Sequence, residues 1–579
     1  MGLTSAMRVG QSALAASQLG LEVTGNNMAN VATPGYARRR LDLTPLEAAD
    51  PSSRFQAGLG VGIRDLTRTI DEAVLARLRG QYAREAATNQ SLTTLSQLES
   101  SIGELSDFDL TSQLSSFFGT WSDRSTLVAA DGVVVQQAET LVSSIRRLRD
   151  DLVDQKVQGE ALLEDLVPRV DDLLGQVASL NEGVARAGVS GGDTASLRDQ
   201  RDQVLDELAG LIDIDTIERG GGQVDVYVGS TPLVLAGASR GIEARRETID
   251  GESQLVLRAR EDGAPLPIRA GRIGALLQAG DEAIGGTIDQ LDRLASELIF
   301  QANRIHATAT GPDGLREAAS QVATPPEDRG LALTDPANAT FAELPFEITN
   351  GSFLVQVHDR ASGTVTSTRI EVDLDGIADD GTAGGGDDTT LENVRAALDA
   401  VDGVRADFTA DGRLRIRGDA GTRISFGEDT SGLLGAVGVN AFFSGRDASD
   451  IAVRSDIAGE PGLLNVGRIN ADGAFDASAA AIDMARLQDR TFDAVGGQSL
   501  QGFWAQVAGD VGAQTDAAIT DAEASRVIRE AIEGQRAAVS GVSLDEEAIN
   551  LSTYQQAFQA SARYISVLDQ LQQELLAIF

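Results

Sequence analysis

The stretch that decides the fold is MGLTSAMRVGQSALAASQLGLEVTGNNMANVATPGYARRR, residues 1–40. Apolar side chains recur in it every seven residues, at Met7, Leu14, Leu21 and Met28. Seven-residue spacing returns a side chain to nearly the same helix face, which is the seam pattern of a coiled coil. Small residues flank this seam, so a partner helix can approach closely. An ordinary amphipathic helix on a globular core is the alternative interpretation.

The predicted helix stops shortly before Thr33, because this residue precedes a proline and is pushed toward extended geometry. Pro34 and Gly35 suit the two central positions of a type II turn. The basic cluster at 37–40 follows. Two interpretations of this cluster are open. The cluster is a solvated edge of a loop, or, as a hypothesis, it contacts acidic groups of a neighbouring molecule.

A second helix of the same kind is predicted at the other end of the chain, in residues 541–579. Ser543 followed by Glu546 is a capping box, so the helix begins there. The apolar side chains of this helix follow alternating three- and four-residue steps, and its other faces are nearly uncharged. Members of this seam are Leu551, Tyr554, Phe558, Ile565, Leu568 and Leu575. Since a lone helix with one apolar stripe is not stable in water, we expect the two terminal helices to pair with each other and with neighbouring subunits.

The 579-residue chain carries 48 basic and 87 acidic residues, a formal net charge of −39. This charge argues against nucleic acid or an anionic membrane surface as the main partner, since both require local positive potential. Cysteine is absent, and the two histidines, His306 and His358, are far apart in the sequence. Little is left for a metal site or a Ser–His triad. We therefore predict no catalytic residue, no metal site and no cofactor.

The sequence contains no run of 18 apolar residues, so no membrane span is predicted. Its first twenty residues have no continuous apolar region of the kind found in signal peptides. We therefore expect no cleavable signal peptide. Secretion by a pathway that reads an uncleaved amino terminus stays open.

The middle of the chain alternates between helical and strand patterns. From about 71 to 212, apolar residues recur at three and four residues, which predicts long packed helices. The glycines of GLGVG, 58–62, do not fit a dinucleotide fingerprint and predict a bulged strand or tight loop. Alternating valines in 216–270 predict a small β section. A helical pattern returns in 283–309, and the following GPDGLREAASQVATPPEDRG, 311–330, is interpreted as a loop.

Residues 338–445 are predicted to form an inserted α+β unit with four strands and one helix. Within it, seven acidic residues and no basic one lie between 371 and 388. This segment could attract Ca²⁺, but its spacing does not match an EF-hand loop. An acidic solvated turn is the favoured interpretation.

The predicted fold class is mainly α with β insertions. It combines terminal coiled-coil helices, a helical-bundle core and inserted β and α+β domains in an elongated, multidomain chain. The predicted domains are a terminal helical domain of 1–40 with 541–579, a helical core of 41–215 with 271–312 and 446–540, a small β section of 216–270, and the inserted domain of 338–445.

Both ends of the chain resemble the bacterial flagellar axial proteins, the family of rod, hook and hook-associated subunits. The segment NNMANVATPGY is similar to the amino-terminal signature of that family, and GVSLDEEAINLSTYQQAFQASARYISVLDQLQQELLAI is similar to its carboxy-terminal counterpart. The amino-terminal motif residues are Asn26, Asn27, Asn30, Thr33, Gly35 and Tyr36. The segment SLRDQRDQVLDELAGLIDI resembles a run in the helical core of the hook-associated members. Two such motifs at opposite ends are a specific signal, and 338–445 is the least matched part.

The resemblance implies a structural subunit without enzymatic activity, located in the extracellular flagellum between hook and filament and needed for filament assembly. It also implies export without a cleaved signal peptide. The implied partners are hook protein, a second hook–filament junction protein, copies of the chain itself and an export chaperone at the carboxy-terminal helix.

Two alternatives remain at this point. The first is a hook or rod axial protein, which the long helical run at 134–212 disfavours. The second, from another class, is a secreted Ca²⁺-binding adhesin or enzyme that carries its chemistry in 338–445. No nucleophile with a neighbouring base is recognisable in the sequence to support it.

Overall fold

The computed structural model describes residues 3–46, 58–103, 109–126, 131–190, 192–249, 252–377, 388–470 and 473–578. The chain forms two compact units. The first comprises Met1–Thr94, Gln158–Gly280 and Asp516–Phe579, and the second comprises Leu95–Val157 and Asp281–Thr515. In the described ranges, no helix combines the length and the apolarity that crossing a membrane requires.

Helices dominate the described chain, which confirms the predicted class, mainly α with β insertions. In chain order they are α1 Leu3–Ala29, α2 Glu72–Ile102, α3 Leu110–Thr126, α4 Asp131–Ser190, α5 Ala195–Leu211, α6 Gly271–Gln278, α7 Gly286–Ala307, α8 Ala339–Ala342, α9 Leu391–Asp399, α10 Leu433–Ala436, α11 Ser455–Gly459, α12 Ala479–Arg486, α13 Leu500–Ser540 and α14 Leu544–Ile578. A π-helical segment, Ala279–Gly285, joins α6 to α7.

The strands form small antiparallel sheets. They are β1 Arg39–Pro45, β2 Val61–Arg68, β3 Asp215–Glu218, β4 Val224–Val228, β5 Thr231–Leu235, β6 Ala238–Ser239, β7 Ile242–Ile249, β8 Glu252–Ala259, β9 Glu317–Ala323, β10 Gly351–Asp359, β11 Val365–Val372, β12 Val404–Phe408, β13 Arg413–Gly418, β14 Thr422–Gly427, β15 Phe443–Ser444, β16 Ala452–Val453, β17 Arg468–Ile469 and β18 Phe475–Asp476. The larger sheets have the strand orders β3-β4-β5-β6, β11-β10-β14 and β12-β13-β9.

In the first unit, α1 packs along α14 and against the hairpin formed by β1 and β2. The register of this hairpin shifts between Asp42 and Leu43, which marks a bulge. At its far end Gly60 has φ +113°, and a Cβ there would lie 2.1 Å from Ser12 Oγ on α1. The bulge predicted at the glycines of GLGVG lies instead at Arg64, after them, and Gly60 permits close contact with α1.

The core of the first unit lies where α4 and α5 cover the strands between residues 215 and 259. Leu173 and Leu205 from the helices are buried together with Val226 and Leu257 from the strands. Apolar residues that recur every three or four positions on the helices pack against apolar residues at alternate positions on the strands, and together they form one core. This packing fixes the position of α5, whose polar side chains contribute to the site described below.

The second unit has two hydrophobic cores. One surrounds Trp121 of α3 and Phe442, whose ring centroids are 5.4 Å apart in an edge-to-face arrangement. The other fills the α+β part, where Phe353, Ile416 and Phe426 are fully buried. The strands predicted in 338–445 and the helix between them correspond to β10, β11, β12, β13 and α9.

The interpretation of residues 311–330 as a loop is wrong. They contain β9, in which Ala318 pairs with Ile416 of β13. The strand sequence, EAASQVA, has one β-branched residue, so its propensity gave no signal, and pairing with β13 holds it extended. The sheet of the inserted unit therefore begins before residue 338.

The predicted domain boundaries stay a prediction, with one difference from the observed units. Residues assigned to the helical core fall in both units, because α2, α4 and α13 each run from the range of one unit into the range of the other. A long helix carries no sequence signal at the point where its packing partners change.

Candidate functional site

The seam between α1 and α14 is built on small residues of α1. A Cβ added at Gly10 would lie 2.8 Å from Cγ1 of Ile565, and one at Gly20 would lie 2.5 Å from the ring of Tyr554. Both distances are shorter than non-bonded carbon atoms tolerate, so the large side chains of α14 pack directly on the backbone of α1. Because Gly10 opposes Ile565 and Gly20 opposes Tyr554, the two helices run antiparallel.

The predicted α14 seam meets α1 over most of its length. Leu551, Tyr554, Phe558 and Ile565 are half-buried, and Leu568 is buried. Leu575 is instead 49% exposed. Gly10 opposes Ile565, and α1 begins at Leu3, only seven residues before Gly10. Because the helices are antiparallel, Leu575 lies beyond the first residues of α1. The final part of the predicted seam therefore has no cover from α1.

The heptad stripe of α1 is less deeply buried than the small residues of this helix. Met7, Leu14, Leu21 and Met28 are all half-buried, whereas the buried residues of α1 are Gly10, Ala16, Ser17, Gly20, Val23, Thr24 and Asn27. Leu21 follows Gly20 and lies about 100° around the helix from it. Within one chain Gly10 and Gly20 meet α14 directly, and the Met and Leu stripe stays partly exposed along the flank of its own helix. The role of this stripe in assembly stays a prediction.

Asn27 of the motif is the hub that joins the end of α1 to three other segments. It is 1% exposed. Its Nδ2 donates to the carbonyl of Arg39 at 2.9 Å and to Oε2 of Glu547 at 3.2 Å. Its Oδ1 accepts from the hydroxyl of Tyr36 at 2.8 Å and from the backbone N–H of Arg39 at 3.0 Å. Each amide group is satisfied, so the motif asparagine stabilises the junction of α1, β1 and α14.

The other motif residues shape the turn after α1. Asn30 Nδ2 donates to the carbonyl of Asn26 at 2.9 Å, and the Thr33 hydroxyl donates to Oδ1 of Asn30 at 3.2 Å. Gly35 has φ +76°, and the N–H of Tyr36 donates to the carbonyl of Thr33 at 3.2 Å. This geometry confirms the predicted turn, since a type II turn requires positive φ at its third residue.

The basic cluster binds acidic groups of its own chain. Arg38 pairs with Glu546 at 2.6 Å and with Glu547 at 2.8 Å, both at the start of α14. Arg39 is buried and pairs with Asp193 at 3.1 Å. For Arg38 and Arg39 the solvated loop edge is wrong, and contact with a neighbouring molecule stays a prediction. Their partners lie more than 150 residues away along the chain, so the local sequence did not reveal them.

Arg39 opens a ladder of ion pairs along α5, which we name the anchor. Arg39 lies 3.7 Å from Asp199, and Arg68 of β2 lies 3.0 Å from the same carboxylate. Arg68 also contacts Asp202, which pairs with Arg79 of α2 at 2.9 Å. The members of the anchor are Arg39, Arg68, Arg79, Asp193, Asp199, Asp202, Asp206 and Arg536. It joins β1, β2, α2, α5 and α13 through charge.

Burial changes the acidity of the anchor. Burial raises the pKa of Asp199 to about 6, although Arg68 and Arg39 act in the opposite direction. Burial also raises the pKa of Asp206 and of Tyr36. The Asp199 oxygens have ion-pair distances to both arginines but no aligned hydrogen bond. Asp199 is therefore the least well compensated charge in the anchor.

Sequence reasoning missed the anchor although it had quoted the segment SLRDQRDQVLDELAGL. Asp199, Asp202 and Asp206 recur at three and four residues, which places them on one face of α5. The sequence does not show that this charged face is covered by arginines from other segments. On the apolar face Leu205 and Leu208 are buried and Leu197 and Val204 are half-buried.

The acidic segment and the histidines do not form a recognisable chemical site. In the described ranges no group of His, Asp or Glu could hold a metal ion, and residues 378–387 of the acidic segment lie outside those ranges. Nε2 of His358 lies 2.7 Å from Oγ of Ser425, so the expectation that no nucleophile has a base beside it is wrong. Ser425 is buried, however, and its hydroxyl donates to Oε1 of Gln356 at 2.9 Å.

Three family models match the chain. The model of the flagellar hook-associated protein FlgK helical domain matches residues 95–319. The flagella basal body rod protein model matches 7–36, and the flagellar basal body rod FlgEFG protein C-terminal model matches 534–578. The two rod models thus cover α1 and α14, and the helical-domain model covers the region between them that contains α4 and α5.

Relatives align over the whole chain. Flagellar hook-associated protein 1 of Salmonella typhimurium is 24% identical over 598 residues, 100% of both chains. This chain is similar over its whole length to flagellar hook-associated protein 1. The Escherichia coli protein of that name is 22% identical over 600 residues, again 100% of both chains. The Bacillus subtilis protein of that name is 30% identical over 223 residues, 37% of this chain and 43% of that protein.

A solved structure is also similar. It is the flagellar hook junction protein FlgK from Burkholderia pseudomallei, which aligns with a TM-score of 0.49 and 14% sequence identity. The alignment covers 80% of this chain and 100% of that chain.

Proposed function

We propose that this chain is a structural subunit of the bacterial flagellum that joins hook to filament and is needed for filament assembly. The observation that carries the proposal is the end-to-end alignment with flagellar hook-associated protein 1 of Salmonella typhimurium. The match to the hook-associated helical domain at 95–319 supports this assignment over a hook or rod subunit, which shares only the terminal motifs. The function needs no enzymatic activity.

Copies of the chain contact one another through the flank of the terminal pair. The α1 residues Met7, Leu14, Leu21 and Met28 are only half-buried after α14 has packed on the small residues. A row of half-buried Met and Leu on a helix that is already paired leaves some hydrophobic surface for a second subunit. The axial interface therefore uses this stripe together with Leu551, Tyr554, Phe558, Ile565, Leu568 and Leu575, some of which also serve the intrachain seam.

Hook protein on one side and a second junction protein on the other complete the contacts along the axis. The proposal of both neighbours is supported by the similarity to flagellar hook-associated protein 1. The location that follows is the extracellular flagellum, reached by export without a cleaved signal peptide.

The end of α14 is the proposed chaperone contact before export. Tyr564, Val567, Leu571 and Leu575 lie on one face and are between 45% and 52% exposed, and Leu576 beside them is 71% exposed. An apolar face of this kind on a free monomer favours aggregation, so a bound chaperone protects it.

The alternative of an adhesin or enzyme centred on 338–445 gains little from the structure. The His358 and Ser425 pair places a hydroxyl beside a base in this region, but the buried hydroxyl is already hydrogen-bonded to Gln356. This arrangement is typical of a satisfied buried polar network.

Deletion of the gene in its source bacterium tests the proposal. We expect electron microscopy to show bare hooks and an assay of the medium to show lost filament protein, with both defects reversed by the wild-type gene. Missing hooks would place the chain in the hook or rod instead. Normal flagella would contradict the proposal.

A further inference from the structure

The second unit contains a cavity of about 370 Å³ between α7 and the sheet β11-β10-β14. Three guanidinium groups line it, from Arg304 on α7, Arg468 on β17 and Arg490 after α12. We name it the arginine cavity. Its size is within the range of small-molecule sites, and such a concentration of positive charge is notable in a chain of net charge −39.

The two carboxylates in the wall are engaged elsewhere. Asp429 accepts from the N–H of Gly432 at 2.9 Å and from that of Leu434 at 3.1 Å, within its own turn. Glu428 lies 3.6 Å from Arg369, which is outside the lining of the cavity. Neither carboxylate pairs with an arginine of the cavity.

Two of the three arginines keep their hydrogen-bond donors free. Arg468 donates to Oδ2 of Asp483 at 2.8 Å and to the Thr308 hydroxyl at 3.2 Å. Among the described residues, Arg304 and Arg490 have neither an ion pair nor a side-chain hydrogen bond. Arg304 lies over the ring of Phe300 and Arg490 over that of Phe492, with 5.5 Å and 5.7 Å to the ring centroids. Stacking leaves the N–H groups in the guanidinium plane available.

The wall of the cavity is held in place by buried polar groups. Gln356 is 1% exposed, accepts from the hydroxyl of Ser425 at 2.9 Å and donates to the carbonyl of Asn470 at 3.1 Å. Glu428 has φ +48°, a left-handed conformation that is unfavourable for a glutamate. Strained backbone of this kind is concentrated at functional sites.

We propose that the arginine cavity binds a small oxyanion of the carboxylate or phosphate class. Arg304 and Arg490 supply planar pairs of N–H donors, which match the oxygens of a carboxylate or phosphate. Arg468, fixed by Asp483, supplies a third positive charge. The concave shape favours a small ligand over a flat protein surface.

Isothermal titration of the full chain at low salt with citrate and, separately, with inorganic phosphate tests the proposal. We expect at least one anion to bind with a dissociation constant below about 1 mM, and an Arg304→Gln/Arg490→Gln double variant to bind it at least tenfold more weakly. Binding of citrate alone would assign the carboxylate class, and binding of phosphate alone would assign the phosphate class.

The matched control is Arg146→Gln/Arg360→Gln, which removes the same charge from two exposed arginines of the same unit. This control should bind as the wild type does. If the double variant does not fold, the single variant Arg490→Gln replaces it in the titration, because Arg490 is exposed. The proposal would be overturned if neither anion bound at concentrations up to 10-fold above about 1 mM. It would also be overturned if binding were weakened equally in both double variants.

Discussion

The seam holds the two terminal helices together, and the anchor holds β1 and β2, the strands that follow α1, on α5, and the two do so by opposite means. At the seam, Gly10 and Gly20 of α1 carry no side chain, and the contact depends on how closely α14 can approach. In the anchor, buried arginines and aspartates meet as ion pairs. The seam is therefore sensitive to added volume, and the anchor is sensitive to the loss of one charge.

This difference assigns separate tasks to the two regions. A seam of small residues fixes the distance between α1 and α14 and leaves the Met and Leu stripe only half-buried. The anchor fixes where the chain leaves the helix pair, since it joins β1, β2 and α5 at that point. Substitutions that change only volume or only charge can separate the two contributions.

The largest effect is expected from Asp202→Ala in the anchor. Asp202 pairs with Arg68 and Arg79, whose side chains are 7% and 5% exposed. Removing the carboxylate leaves two buried guanidinium groups without it, so the free energy of unfolding should fall by about 3–5 kcal/mol. Urea unfolding, followed by hydrogen exchange of amides in β2 and α5, measures this loss.

Glu207→Ala is the matched control on the same helix. Glu207 pairs with Arg169, and both side chains are about half-exposed. This variant should cost at most about 1 kcal/mol. Equal losses in the two variants would show that burial does not distinguish the anchor from a surface pair.

The next effect is expected from Gly20→Ala in the seam. The added methyl group would lie 2.5 Å from the ring of Tyr554, so the local free energy of opening of α1 should fall by about 1–3 kcal/mol. Hydrogen exchange of α1 amides measures this change.

Gly25→Ala supplies the opposite sign in the same helix. A Cβ at Gly25 has nothing within 4 Å, so alanine should stabilise α1 by about 0.5–1 kcal/mol. If both alanine variants stabilise α1, the close approach at Gly20 is not a constraint.

A pH-dependent effect is expected at Asp199. Its pKa is about 6 in the folded chain, above the ordinary value of 3.8, so the folded state binds this proton more tightly than the unfolded state. The stability that this group contributes is present below pH 4 and is lost as the pH rises to 6. The variant Asp199→Asn lacks this titrating group. The free energy of unfolding of the variant, minus that of the wild type, should therefore rise by about 1–3 kcal/mol as the pH increases from 4 to 7.

Urea unfolding at several pH values measures this difference, and the other titrating groups cancel in the comparison. Asp193→Asn removes the same charge from a carboxylate that is 46% exposed and serves as the control. Parallel stability curves for wild type and Asp199→Asn would contradict the assignment.

Local features of the fold could be predicted from the sequence. The end of α1 shortly before Thr33, the turn at Gly35 and the start of α14 after Ser543 depend on a few adjacent residues, and all were predicted, although α1 ends at Ala29, a few residues earlier than expected. Strand β9 could not be predicted, because its partner β13 lies about ninety residues further along the chain. Propensity alone does not report such pairing.

The site was predicted less completely. The seven-residue repeat that includes Met7 and Leu14 is visible in the sequence. This repeat of larger apolar residues does not reveal that Gly10 and Gly20 face α14. The partners of Arg38 lie more than 500 residues away, so only folding brings them together. The motif asparagines were recognised by resemblance, and the structure supplies the physical reason for Asn27.

The most direct test of the division between seam and stripe is the Leu14→Gln/Leu21→Gln double variant, introduced into cells that lack the gene. Both side chains are only half-buried, so hydrogen exchange of purified protein should show α1 weakened by only about 1 kcal/mol. Electron microscopy of the cells should nevertheless show hooks without filaments, with filament protein in the medium. Normal filaments on these cells would contradict the assignment of the stripe to contacts between subunits.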